Sequence, residues 1–436
     1  MKKNGIQILQ FGTGNFLRAF IEPMVQDLIQ QDISLNVCMI QSTGGSNLEQ
    51  LKNQNYEYHV LVAGLENGKK VEQLRKITCI KDGLDLPLES ERFLQFASNP
   101  EVKWIISNVT EAGMVWKEEE DFKEFAKSFA GRITQWLFRR FQTLPQAETI
   151  LLPCELLPEN GKTLKNLVET HAKRWKLQEE FFIWMDSSCK FFNSLVDRIV
   201  PGFPSHLSLP EKEKDKFLVQ TEPYCFWAIE GKGSDEAYLP FLNSSSEVIL
   251  QNSIQIYSLR KIRILNGLHT FMTGKGLLQG FETVGQYVDD PRNLEELEML
   301  LKKEIFPTLD IPSQELGEYA RQVMDRFRNP FVAHKLADIS LNATAKFKSR
   351  LFPIFEWHQQ NHHSVPPIAV TGLVAQILFN LRNPEKIKDT SEVKNVYSKL
   401  PPLHSEFEQV IFITKSLFEL EDQHGIKKAY ETLHSK

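Results

Sequence analysis

The stretch KIRILNGLHT (261–270) sets an amine, an amide and an imidazole at offsets of five and three, as Lys261, Asn266 and His269. These groups suit the movement of a proton on and off a carbinol oxygen while a hydride moves elsewhere. On a helix turning about 100° per residue, Asn266 and His269 are i,i+3 neighbours, and Lys261 falls two turns earlier on the same side. All three would then line one cleft. The same spacing also describes a basic helix end with one satisfied histidine, because K-x4-N-x2-H is a weak motif by itself. What the rest of the chain would place around this helix decides between the two.

The chain has 436 residues, too many for one ordinary core, so more than one domain is expected. With 42% hydrophobic and 25% charged residues, the composition is globular. No apolar run is long enough to span a bilayer, and the start MKKNGIQILQ has no signal-peptide pattern, so a cytoplasmic protein without a membrane partner is expected. Net charge is −5 and no basic block occurs, which argues against a nucleic-acid surface and for a small-molecule partner. Cys38, Cys79, Cys154, Cys189 and Cys225 are odd in number, scattered and free of CxxC spacing. They read as buried thiols, and neither a metal site nor a disulfide frame is expected.

The chain opens with the apolar run IQILQF (6–11), then GTGN, then an amphipathic segment from Phe16 to about Gln31. Strand, tight turn and helix follow from that order. Gly12 and Gly14 permit the turn and a close approach to a pyrophosphate, with Thr13, Asn15 and Phe16 at the helix N-terminus that would hold it. Leu17 stands where a full G-x-G-x-x-G has its last glycine, so a plain glycine-rich turn fits equally well. A second strand (35–41) ends in Gln41, at the spacing where an acid usually meets the adenosine ribose. No carboxylate or following arginine is present, which leaves NAD and NADP undecided.

YEYHVLV, turned at GLENG and returning through VEQLRKITCI, predicts a hairpin. WIISNVTEAG carries a buried strand into a polar loop, where Asn108, Thr110 and Glu111 are candidates for touching a cofactor at a strand's carboxyl end. Residues 117–143 read as helix, and TILLPCELL as another buried strand leading to a further helix. Such alternation gives a mainly parallel sheet. FFNSLVDRIVPGFP (191–204) puts Asn193, Asp197 and Arg198, candidates for touching the substrate, in a proline-bounded turn, where the last two would also serve as a capping pair. EPYCFWAIEG offers a last strand, and residues 231–247 a connector. From Arg260 onward the pattern is helical, broken near Ile311, at NPF (329–331) and near Pro366.

FGTGNFLRAF, ISNVTEAG, LPCELLPENG, NSLVDRIVP and K-x4-N-x2-H, in this order and spacing, resemble the polyol-specific long-chain dehydrogenases, or mannitol dehydrogenase family, from about Ile6 to at least Pro353. VDRI is the most specific of these tags. Within the family the chain is most similar to the branch that interconverts tagaturonate and altronate, which carries a GNFLRAF start, a PCELI-type strand end and an LN-x-x-x-KFK segment, here LNATAKFK.

The resemblance implies a Rossmann-type N-terminal domain (1–245) and an all-α C-terminal substrate domain (246–436) like that of 6-phosphogluconate dehydrogenase. It implies NAD-dependent reduction of D-tagaturonate to D-altronate, and the reverse, in hexuronate catabolism and without a metal. Lys261 is then the general base, Asn266 holds the substrate oxygen and His269 orients the substrate. A sugar acid needs cations near its carboxylate, and Lys346, with Lys348, Arg350 and His334, falls in one short basic region that would otherwise be a solvated helix face. In two places the chain departs from mannitol-oxidising relatives: Leu156 follows Cys154-Glu155 where they carry an oxyanion asparagine, and Phe20 replaces a histidine. Fructuronate reduction, a neutral polyol dehydrogenase, and a dinucleotide- or sugar-acid-binding protein without turnover are the alternatives.

Overall fold

The computed structural model describes residues 5–109, 113–116, 120–205, 207 and 210–434. The chain forms two compact units, one of residues 1–63 and 71–254, the other of residues 64–70 and 255–436.

The first unit is built on strands β1 (Ile8–Phe11), β2 (Val37–Gln41), β3 (Tyr58–Glu66), β4 (Lys69–Ile77), β5 (Ile80–Asp85), β6 (Trp104–Ser107), β7 (Thr149–Pro153), β8 (Cys189–Phe191), β9 (Ser194–Asp197), β10 (Val219–Thr221), β11 (Phe226–Glu230) and β12 (Val248–Gln251). Its main sheet has six strands in the order β5-β2-β1-β6-β7-β8. Every pairing in it is parallel. This is the doubly wound order, with its switch point between β1 and β6.

Side chains alternate between two buried faces, as a parallel sheet covered on both sides requires. Ile8, Val37, Met39, Ile106 and Leu152 join the core that contains Leu17, Phe20, Ile21 and Leu28 of the helix Asn15–Gln30. Leu9, Phe11, Ile40, Ile105 and Leu151 face the other core, with Ile133, Trp136 and Leu137 of the helix Phe129–Thr143 and Leu164 and Val168 of the helix Asn160–Arg174.

The expected hairpin forms as β3 and β4, closed by Asn67 and Gly68 at φ 52° and 72°. Positive φ at both central residues is the turn whose twist matches the strands, and Asn-Gly is the pair that adopts it cheaply. Other details differ from the sequence reading. The returning run divides, and its end becomes β5, which leaves the hairpin for the edge of the main sheet. The supposed proline-bounded turn holds β8 and β9 instead; β8 extends the main sheet and β9 pairs antiparallel with β11. The short strands β10 and β12 carry no period-2 signal of their own and are held by β3 and β11. Of the helix expected over 117–143, residues 117–119 lie outside the described residues, and helix begins only at Phe129. Ser128 caps it by accepting from Gly131 N, and the Glu120 carboxylate takes the backbone N–H groups of Lys127 and Ser128 before it starts.

The second unit is helical apart from the hairpin tip. Gln255–Arg260, Lys261–Asn266 and Gly267–Leu278 run on as one continuous helix, with a π-helical turn in the middle segment. This long helix rests on the helix Ala369–Arg382. A Cβ at Gly274 would lie 2.4 Å from Gln376 N, so the two backbones are in near contact there. The Glu304 carboxylate accepts the N–H groups of Ile368 and Ala369, both at 2.7 Å, and so terminates the supporting helix. Cys38, Cys79, Cys154 and Cys189 are buried as expected, Cys225 is half-buried, and all five are free thiols. Among the described residues no helix is long and apolar enough to cross a membrane.

Candidate active site

In the first unit, β1 delivers the chain to Gly12, whose φ of +125° and whose imaginary Cβ, 3.2 Å from Asn108 O, admit only glycine comfortably. Nothing lies within 4 Å of a Cβ at Gly14, and no side chain caps the helix that follows. That helix end is thus open at Gly14 and free of a side-chain cap, beside a close backbone approach, which fits a pyrophosphate. Leu17 is 2% exposed and its Cδ1 packs 3.5 Å from the Gly12 Cβ position, so a core leucine fills the place of the third glycine. Phe16 stacks on Phe20, with ring centroids 5.0 Å apart.

The loop is braced from beneath by a residue the sequence reading passed over. Arg18, 6% exposed, donates to Thr13 O at 3.2 Å, Asn15 Oδ1 at 2.6 Å and Phe217 O at 2.5 Å. Gln10 donates to Gly12 O at 3.2 Å and to Glu22 Oε1 at 2.7 Å, and Tyr58 donates to Glu22 Oε2 at 2.5 Å. Burial raises the Glu22 carboxyl above its ordinary range. An arginine inside the apolar run FLRAFI was the available signal for this network.

Asn108 lies directly after β6 and donates to Cys154 O at 2.7 Å, while the buried Glu155 carboxylate accepts Val109 N at 3.0 Å. Thr110 and Glu111 lie outside the described residues. The Gln41 amide closes its own loop, donating to Gly45 O at 3.0 Å and accepting from Leu48 N at 3.2 Å. Asn193 accepts from Lys162 N and donates to Glu230, and Arg198 donates to the carbonyls of Glu222 and Ala19. Asp197 is buried on β9.

In the second unit, the π-turn changes the geometry expected for the helix. In an α-helix, residues five apart point about 140° away from each other. A π-turn bonds i to i+5, so Lys261 and Asn266, the first and last residues of the turn, stack on one side. Asn266 and His269 then follow at i,i+3. Arg263 donates to the carbonyls of Ser349 and Arg350, and Arg350 Nη1 donates to Thr270 Oγ1 at 3.2 Å, pinning the turn from the helix Ala343–Arg350. Arg260 turns away to Glu315 at 2.7 Å.

The Asn266 amide makes no hydrogen bond within the described residues. His269 is 7% exposed, and its Nε2 is buried without a partner there. Burial first, then the positive groups of His334, Arg326, Arg350 and Lys346, hold its imidazole well below the usual histidine range. It is therefore neutral at physiological pH. Lys346 donates to Ile339 O at 2.9 Å, and burial together with Arg350 lowers its pKa.

The mannitol dehydrogenase Rossmann-domain model matches residues 6–240 and the mannitol dehydrogenase C-terminal-domain model matches residues 253–411. The chain belongs to the mannitol dehydrogenase family. Among curated relatives of the family, the altronate oxidoreductase of Halalkalibacterium halodurans is 38% identical over 383 residues, covering 86% of this chain and 75% of the relative. The altronate oxidoreductase of Bacillus subtilis is 35% identical over 403 residues, covering 90% of this chain and 83% of the relative. Among solved structures, substrate-free D-sorbitol dehydrogenase superposes with TM-score 0.81 at 20% identity, over 99% of this chain and 93% of that one. Pseudomonas fluorescens mannitol 2-dehydrogenase, in a ternary complex with NAD and D-mannitol, gives 0.70 at 19% identity, over 100% and 95%. This member of the mannitol dehydrogenase family is an oxidoreductase acting on a CH–OH group.

Proposed function

We propose that the chain catalyses the NAD-dependent interconversion of D-tagaturonate and D-altronate, within hexuronate catabolism. The observation that carries the reading is the π-turn over Lys261–Asn266, whose i to i+5 bonding turns its first and last residues towards one side, one turn before a buried, neutral His269. The names of the relatives supply the substrate: altronate oxidoreductases resemble the chain at 33–38% identity over most of its length.

In reduction, protonated Lys261 gives its proton to the keto oxygen as charge builds there, and the Asn266 amide N–H donates to the same oxygen. In oxidation, neutral Lys261 takes the hydroxyl proton. His269, held uncharged, offers Nε2 to a neighbouring substrate hydroxyl and fixes the sugar's orientation without competing for the proton. Gly12, Thr13, Gly14, Asn15 and Phe16 would hold the dinucleotide, with Asn108 lining the carboxyl end of β6. When bound, the nicotinamide supplies or accepts the hydride. Gln41 shapes the loop after β2, and NAD over NADP rests on the family more than on that residue. Lys346 is the proposed cation for the sugar acid's carboxylate.

The test is a panel of tagaturonate, fructuronate, fructose and their reduced partners, each with NAD(H) and NADP(H), followed at the nicotinamide absorbance band. Highest kcat/KM for tagaturonate with NADH supports the reading. Preference for fructuronate or fructose replaces it with the corresponding relative's activity, and silence with every substrate makes the chain a binding protein.

A further inference from the structure

Two buried cations of the second unit are matched to acids. Lys275, 2% exposed, meets Glu296 at 2.5 Å, and Arg260, 8% exposed, meets Glu315 at 2.7 Å. Arg350 has no such acid. Its guanidinium is half-buried, its Nη1 donates to Thr270 Oγ1, and among the described residues no carboxylate pairs with it. Lys346 lies one helical turn earlier on the same helix, and its amine donates to the Ile339 carbonyl. A partly desolvated guanidinium without a counter-charge is unfavourable unless a ligand supplies one. Beside it, His269 Nε2 is buried and among the described residues has no partner, so the same region also lacks a hydrogen-bonding group that a polyhydroxy ligand would bring.

Thr270 links this cation to the reacting end of the helix, because its hydroxyl donates to Asn266 O at 2.9 Å while accepting from Arg350. The planar fork of an arginine matches a carboxylate with two parallel N–H bonds, which a lysine cannot do. We propose that Arg350 is the carboxylate anchor of the substrate, taking the acid group of a keto sugar acid on its free guanidinium edge, with Lys346 as the second cation beside it. This rests on the sugar-acid reading above and sharpens it: Arg350, and not Lys346 alone, selects acids over neutral ketoses.

The experiment compares tagaturonate reduction by the wild-type protein, Arg350→Gln and Arg350→Lys, with kcat and KM resolved separately. Losing a charge-assisted, forked contact should raise KM about 10- to 100-fold in Arg350→Gln, a larger factor than any accompanying loss of kcat. Arg350→Lys should fall between, and guanidinium ion added to Arg350→Gln should recover part of the lost affinity. If Arg350→Gln does not fold, the KM of Arg350→Lys decides. Unchanged KM would overturn the proposal, and so would a loss confined to kcat, which would mean that Arg350 acts through Thr270 and Asn266. A wild-type protein inert towards every uronate would instead overturn the activity on which the proposal rests.

Discussion

Glu304 is a carboxylate whose removal should change how the helical unit responds to pH. It is 1% exposed, and burial lifts its pKa from the ordinary 4.5 to about 7 although two backbone N–H groups donate to it. The folded chain thus keeps a proton that the unfolded chain releases near pH 4.5. Stability falls as pH rises through this window and levels off above about 7. At 1.36 kcal/mol per pH unit, the loss between pH 5 and pH 8 is about 2.5 kcal/mol. Glu304→Gln keeps the volume and one acceptor but cannot ionise. Urea unfolding of both proteins across pH 5 to 8 isolates the effect, because every other titrating group cancels in the difference. The variant should gain on the wild type by about 2.5 kcal/mol from the acid to the alkaline end. Parallel stability curves would refute the reasoning and place Glu304 as an ordinary ionised cap. Because the helix it terminates supports Gly274, activity of the wild type should also be more heat-labile at pH 8 than at pH 6.

Two further substitutions probe the two units separately. Gly12→Ala forces a Cβ to 3.2 Å from Asn108 O at φ +125°, so NADH affinity, read by fluorescence titration, should fall by roughly 1–3 kcal/mol, and unchanged binding would contradict the assigned loop. Asn266→Ala should lower kcat by roughly 10²- to 10³-fold with NADH binding intact, as for loss of one oxyanion donor; an effect on KM alone would make Asn266 a binding residue.

Much of this architecture is legible in the residues, because its signals are local. Apolar runs such as IQILQF and WIIS mark strands buried on both faces, Asn67-Gly68 marks the hairpin turn, and the glycine pair of GTGN marks the first strand-to-helix turn. What stays hidden depends on partners distant in the chain. Val248–Gln251 becomes a strand because β11 lies beside it, and Ile80–Asp85 joins β2 across the width of a helix and a hairpin. The π-turn at 261–266 is invisible for a related reason: its residues favour an α-helix as readily, and the shift is pinned where Arg263 of the turn reaches carbonyls at Ser349 and Arg350 and Arg350 in turn reaches Thr270. Lys261, Asn266 and His269 stand out as candidates by type and spacing, whereas Arg18 acts through carbonyls at Thr13 and Phe217 that no spacing rule connects.

The central claim is that Lys261 moves the substrate's proton, and the pH profile of altronate oxidation tests it most directly. The wild-type rate should rise with pH along a single ionisation, which burial and nearby positive groups prevent His269 from supplying. Lys261→Ala should lose that limb and about 10²- to 10⁴-fold in kcat, while NAD binding survives and an added primary amine restores part of the rate. A variant that keeps near-native kcat and the same limb would contradict the account.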